Sequence, residues 1–480
     1  MELINLSLLD ASKMLKEGKI TSEELVNACF NQIEKTTDIN ALNSVSKEEA
    51  LKQARVIDEK LKNGEEVPVL AGIPIVIKDN INVKGTKTTC SSKLLENFES
   101  VYDATVVEKL KDNGAIIIGK ANMDEFAMGS SNENSAFGLV KNPVNTTRVP
   151  GGSSGGSAAT VSAKQCYASL GTDTGGSIRL PASFCGVVGM KPTYSRVSRY
   201  GVVAFGSGLD QVGPLTRTVK DNAVMLSAIS GYDEKETTSC KMEVPNYLKE
   251  IKDSVKGLKI GVAKQFFELG MNEEVKKAVD NAIEFYKNNG AEIVQVELKN
   301  IDLALAVYYI LSSAEAASNL GRFDGIRYGK RSEEYSDLTD LYVKTRTNGF
   351  GKEVKRRIML GNFVLSSGYF DAYYKKAKKV QQLLSKEFDE VFTKVDALIS
   401  PVAPNVAFKI GEKTNNPLEM YLTDVYTVPV NIVGNPAISF PCGKNSEGLP
   451  IGLQLIGKKF GESTLYTFAN YFEEHFKGVL

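Results

Sequence analysis

Short apolar runs alternating with amphipathic stretches constrain this chain more than any other feature of its sequence. "AGIPIVIKDNI" (71–81) holds an apolar run that reads as a buried strand, and so does "AIIIGK" (115–120). Between them "DATVVEKLKDNG" reads as a helix from Asp103 to a stop at Gly114. The grammar returns later. "LKIGVA" (258–263) and "AEIVQVEL" (291–298) read as strands. The helix between them places Val275, Ala278, Val279, Ala282, Ile283 and Tyr286 on one face, with Asn272 as N-cap and Gly290 as stop. Strand, helix, strand implies a parallel sheet covered by helices. The fold expected is α/β, one large domain with a mixed twisted sheet and helices on both faces.

The rest of the chain fits that plan. Residues 1–70 read as a helical N-terminal segment, with a capping box from Thr21 to Glu24. Residues 365–394 read as one long helix. "PAISFPC" and "IGLQLIG" read as a strand pair around a glycine-containing turn. No solenoid repeat and no linker interrupts 1–480, so 71–220 and 221–480 are taken as parts of the same domain.

Charge narrows the function. Lys plus Arg and Asp plus Glu are both 58, whereas a chain that grips nucleic acid by itself carries a basic surplus. The basic stretch "YYKKAKKVQQLL" (373–384) reads as a solvated helix face. The N-terminus reads as helical rather than as a signal peptide, and no run approaches the ~20 apolar residues of a membrane span. Six scattered cysteines read as reduced thiols, which with the rest suggests a cytoplasmic protein. There is one histidine, His475, near the C-terminus. A triad or pair built on histidine is therefore disfavoured, as is a histidine-rich metal site.

Two glycine-serine stretches carry the chemistry. "PGGSSGGS" (150–157) has no phosphate-loop lysine in register, and it leads directly into a helix-like, then strand-like, segment. "GTDTGGSIRLPA" (171–182) places Ser177 after a strand and before a short helix. Backbone N–H groups there can meet a developing oxyanion, where one donor is worth ~3 kcal/mol. A serine nucleophile still needs a base. Lysine serves if burial lowers its pKa by ~3 units, at ~4 kcal/mol. Two strand-end lysines qualify, Lys78 and Lys120, and the residues alone do not choose between them.

"GIPIVIKDN", "PGGSSGGSAA" and "GTDTGGSIRLPASFCGVVGMKPTYSRVSRYG" resemble the amidase signature family. The resemblance implies a Ser-Ser-Lys triad. Ser177 matches the nucleophile and Ser153 the bridging serine that follows a cis peptide bond. Lys78 matches the general base, and the backbone of Thr174, Gly175, Gly176 and Ser177 matches the oxyanion hole. Ser154 and Ser157 are then structural. Further stretches, among them "ANMDEFAMGSS", "SRYGVVAFGSGLDQVGP" and "GLPIGLQLIG", are similar to one branch of that family, the glutaminase subunits of tRNA-dependent amidotransferases.

That likeness runs over nearly the whole chain. It implies hydrolysis of glutamine to glutamate and ammonia. Ammonia would pass through a channel to a B subunit, which uses ATP and magnesium to amidate Glu-tRNA(Gln), and in some members Asp-tRNA(Asn). A C subunit completes the heterotrimer, tRNA is met mainly through B, and this chain itself needs no cofactor or metal. Arg357 and Asp424 would hold the ends of the free amino acid, with Tyr308 nearby; a guanidinium suits the α-carboxylate and a carboxylate the α-ammonium. Ser195 stands where the family usually has glycine, and Asn132 where threonine is common. "ISPVAPNVAF" varies a proline-threonine stretch of the family.

The competing readings are a free-standing amide hydrolase with an apolar substrate and a binding protein that keeps the fold. Paired charges at Arg357 and Asp424 disfavour the first, and the intact Lys78, Ser153 and Ser177 disfavour the second. A nucleotide-binding role is weaker than either.

Overall fold

The computed structural model describes residues 2–477. Eleven strands form one sheet: β1 (Leu42–Val45), β2 (Pro74–Lys78), β3 (Ile116–Ala121), β4 (Ala168–Asp173), β5 (Val188–Lys191), β6 (Gln211–Thr216), β7 (Lys259–Ala263), β8 (Glu292–Val296), β9 (Ala397–Pro401), β10 (Ala437–Lys444) and β11 (Pro450–Gly457). Their spatial order is β1-β3-β2-β4-β6-β5-β10-β11-β9-β7-β8. Both strand–helix–strand units give parallel neighbours, β2 beside β3 and β7 beside β8. Antiparallel strands fill the middle, so the sheet is mixed.

Local signals account for much of this. Thr21 and Glu24 close their capping box, and Asn272 accepts from Glu274 N at the start of the helix Glu273–Asn288. Gly290 ends that segment at φ +88°, a region cheap only for glycine. Every residue of β2 is buried, as its unbroken apolar run implies.

Three expectations give way. The N-terminal 70 residues are not all helical, because Leu42–Val45 pairs with β3 as an edge strand. The 365–394 segment is not one helix. A helix ends at Leu365, Gly368 takes φ +84°, and a π-helical turn at Phe370–Lys375 precedes the helix Lys376–Val391. The helical stretch Ile301–Arg322 is long and apolar enough to cross a membrane by length and composition, yet 56% of its most apolar window is buried in the fold. There it packs on the helix Lys352–Leu365.

The sheet positions the site. β2 and β4 run parallel in adjacent places, with Ile77 opposite Leu170. Their carboxyl ends, Lys78 and Asp173, therefore lie at the same edge, where open α/β sheets bind ligands.

Candidate active site

Lys78 is the last residue of β2 and is fully buried. Its Nζ lies 2.8 Å from Ser153 Oγ, 2.8 Å from Ser154 Oγ and 2.8 Å from Thr172 Oγ1. No carboxylate pairs with it among the described residues. Burial pushes its pKa down to about 7, against the attraction of Asp124, Asp173 and Asp210. Lys120 is placed differently. It forms a buried 3.1 Å ion pair with Asp79 and reaches Lys87 O and Thr88 Oγ1 at 3.0 Å. Geometry thus separates two lysines that the sequence left equivalent: Lys120 pairs with a carboxylate and braces the segment after β2, whereas Lys78 meets three hydroxyls and, at 3.4 Å, Thr172 O.

The first glycine-serine stretch is only half a loop. Gly155, Gly156 and Ser157 already form the first turn of the helix Gly155–Ser162. The Gly152–Ser153 peptide is cis. Gly152 has no room for a side chain, since a Cβ would lie 2.0 Å from Asp124 Oδ2. Asp124 is held by Asn132 N and Asn134 N, and its own N–H donates to Ser153 O. Burial raises Asp124 to about 7. Ser157 donates to Leu170 O, a structural bond as expected. Ser154 does more than that: it donates to Thr172 O at 3.0 Å and touches Lys78.

Ser177 follows β4 and is 8% exposed, whereas Ser153 is fully buried. The Lys78–Ser153 link is closed, but no hydrogen bond joins Ser153 Oγ to Ser177 Oγ among the described residues. The N–H groups of Thr174, Gly175 and Ser177 have no protein partner among those residues. Gly176 departs from expectation, because its N–H donates to Asp173 Oδ1 at 2.8 Å. The same carboxylate accepts from Ile178 N and Arg179 N. The start of the helix Arg179–Cys185 is therefore capped by the protein itself, and Gly176 contributes space rather than a donor. A Cβ there would meet Thr427 Oγ1 at 2.2 Å, and one at Gly175 would meet the Tyr308 ring at 2.4 Å.

Arg179 locks this loop. Fully buried, it grips Asp173 through Nε at 3.1 Å and Nη2 at 3.0 Å, and reaches Gln454 Oε1, Asn431 Oδ1 and Thr427 O. Burial alone would raise Asp173, but the guanidinium holds it well below the usual carboxylate range.

Arg357 and Asp424 border the same region. Arg357 (3% exposed), Ser130 and Tyr421 line a cavity of about 80 Å3. Asp424 accepts from Ser130 Oγ at 2.6 Å, and burial raises it to about 7. Three residues later, Thr427 Oγ1 bonds Gly175 O at 2.7 Å, joining the Asp424 segment to the oxyanion loop. Tyr308 lies against Gly175, and its phenol is pushed up by burial in a field to which Arg357 and Asp424 contribute. The structure thus brings Lys78, Ser153 and Ser177 to one edge and sets Tyr308, Arg357 and Asp424 beside them. His475 stands apart from these contacts, exposed at a helix end with Nδ1 against Tyr471 O.

Sequence reasoning missed Thr172, Asp173, Asp124 and Arg179. Their signal was present, since Thr172, Asp173 and Arg179 all stand in "GTDTGGSIR". Polar residues flanking a glycine turn invite scrutiny as its anchors.

Comparison with known proteins completes the picture. The family model described as Amidase matches residues 24–466. The chain is 54% identical over 478 residues to the A subunit of glutamyl-tRNA(Gln) amidotransferase from Caldanaerobacter subterraneus subsp. tengcongensis, covering 99% of this chain and 98% of that protein. It is 53% identical over 478 residues to the protein of the same name from Clostridium botulinum (strain Eklund 17B / Type B), with the same coverage. Among solved structures it matches the glutamyl-tRNA(Gln) amidotransferase A subunit from Thermotoga maritima with a TM-score of 0.82 at 40% identity, over 99% of this chain and 96% of that one. It also matches native peptide amidase from Stenotrophomonas maltophilia with a TM-score of 0.83 at 27% identity, over 99% and 98%.

Proposed function

This chain belongs to the amidase family, and on that footing we propose that it is the glutaminase subunit of a Glu-tRNA(Gln) amidotransferase. Neutral Lys78 accepts a proton from Ser153 as Ser153 accepts one from Ser177. Ser177 Oγ attacks the side-chain carbonyl of glutamine. The N–H groups of Thr174, Gly175 and Ser177 receive the oxyanion. The relayed proton leaves with ammonia, a γ-glutamyl ester remains on Ser177, and water releases glutamate. Arg357 holds the α-carboxylate, and Asp424 the α-ammonium with Tyr308 beside it. The ammonium favours the ionised form of Asp424.

One observation carries the reading. A fully buried lysine without a carboxylate partner among the described residues stands 2.8 Å from Ser153 Oγ, at an edge flanked by a guanidinium and a carboxyl group. An apolar amide has no use for that pair of groups. Relatives at 54% identity over 99% of the chain bear the amidotransferase name, which supports assembly with B and C subunits. The B subunit takes the ammonia through a channel and supplies the ATP and magnesium chemistry on Glu-tRNA(Gln), and on Asp-tRNA(Asn) in some systems.

The test is ammonia release from glutamine by this chain, alone and with co-expressed B and C subunits. The reading expects glutamine-dependent release that rises with the partners and vanishes in Ser177→Ala. Cleavage of a neutral amide with none of glutamine, in every combination, would favour a free-standing hydrolase.

A further inference from the structure

Tyr309 follows Tyr308 on the helix Ala304–Asn319, so the two side chains leave it about 100° apart. Tyr308 turns to Gly175 and the oxyanion loop. Tyr309 turns to the arginine. Its ring stacks on Tyr421 at 3.9 Å and 25°, and the Arg357 guanidinium carbon lies 4.6 Å from its centroid and 5.0 Å from that of Tyr421.

Hydrogen-bond accounting at this wall leaves two donors over. Glu353 Oε1 accepts from Arg357 Nε at 2.7 Å and from Tyr421 Oη at 3.0 Å, while Arg356 takes the other oxygen. The Glu353 carboxylate is thereby occupied by its neighbours. Arg357 Nη1 and Tyr309 Oη are buried without any partner among the described residues. Both residues are more than nine-tenths buried, at 3% and 8% exposure. Orphaned buried donors are unfavourable, and two on side chains in mutual contact call for an acceptor within reach of both. Burial holds the Tyr309 phenol well above its ordinary value, so it remains a donor at neutral pH.

We propose that Tyr309 is a substrate-binding residue whose hydroxyl donates to the same α-carboxylate that Arg357 takes through its Nη edge. Tyr421 and Glu353 are positioning residues that fix the guanidinium with that edge free. The proposal rests on glutamine being the substrate and adds the second half of its carboxylate receptor. A fork plus a phenol gives a carboxylate three convergent donors, and it rejects amides that lack the group.

The experiment measures kcat and KM of the assembled enzyme for glutamine and for a neutral primary amide, with Tyr309→Phe and Tyr421→Phe. Tyr309→Phe should raise KM for glutamine about tenfold, the order expected for one hydrogen bond to a charged group. Its kcat, and its kcat/KM for the neutral amide, should stay within about twofold, since those do not involve the carboxylate. Its urea midpoint should not fall, because the hydroxyl removed has no partner among the described residues. Tyr421→Phe should raise KM in the same selective way but by less. An unchanged KM, an equal loss on both amides, or a lowered urea midpoint for Tyr309→Phe would overturn the assignment. A wild-type enzyme inert toward glutamine but active on the neutral amide would instead remove the glutaminase reading, and this proposal with it.

Discussion

Replacing Lys78 with methionine should remove a pH dependence of stability that the buried base imposes on the fold. Burial takes its pKa from 10.5 in the unfolded chain to about 7 in the folded protein. Between those values the unfolded state holds a proton that the folded state has released. Stability therefore rises with pH across that window, by about 1.4 kcal/mol per unit for one proton. Below pH 7 both states are protonated and the full penalty stands; above pH 10.5 both are neutral and it is gone. Methionine has similar length and no charge, and every other titrating group is shared, so the remaining terms cancel in a difference. The three hydroxyls around Nζ each lose a bond worth ~1 kcal/mol, an offset that does not vary with pH. Urea denaturation followed by circular dichroism gives both stabilities. Wild type minus Lys78→Met should climb by ~3 kcal/mol between about pH 7.5 and 9.5. Parallel curves would refute the claim that Lys78 is held neutral by burial, and with it the base in the mechanism.

Glutaminase activity should fall as pH drops through about 7, where Lys78 gains a proton and Asp424 loses its charge. In Asp424→Asn, KM for glutamine should be high and nearly flat across that range, while kcat keeps its acid limb. Gly175→Ala would drive a Cβ to 2.4 Å from the Tyr308 ring; it should lower kcat by ~100-fold, the order of one lost oxyanion donor, with circular dichroism unchanged. Arg179→Met leaves Asp173 buried without its cation and should cost ~3–5 kcal/mol in urea denaturation. Ser195 holds φ +81°, so Ser195→Gly should stabilise by ~0.5–1 kcal/mol, the left-handed penalty less the entropy glycine adds to the unfolded chain.

Much of the architecture could be read from the chain because it is written locally. Apolar runs of five or six residues marked β2 and β3, and caps at Thr21 and Asn272 marked helix starts. β1 escaped notice because Leu42–Val45 is short, only partly buried and held by pairing with β3 rather than by its own pattern. The break after Leu365 was hidden by an uninterrupted helical composition, with Gly368 the single cue. At the site, the residues alone brought out Ser177 and left Lys78 and Lys120 as equivalent bases; Ser153 and the choice of Lys78 came with the family resemblance. That choice depends on which lysine meets Asp79, a contact fixed by tertiary structure. Arg357 and Asp424 could not be picked from so many charges without a resemblance. Only burial marks both physically, with an orphaned donor besides on Arg357. The departures at Ser195 and Asn132 fall at the same kind of backbone position, the first against its preference and the second with it. Both lie at positive φ, +81° and +64°, and asparagine tolerates that region better than a β-branched threonine.

The most direct measurement is to quench the assembled enzyme during glutamine turnover and map covalent adducts by peptide mass spectrometry. A γ-glutamyl ester on Ser177, absent from Ser177→Ala and from Lys78→Ala, is the predicted result. Turnover that proceeds with no adduct on Ser177, or with one on another residue, would contradict the account.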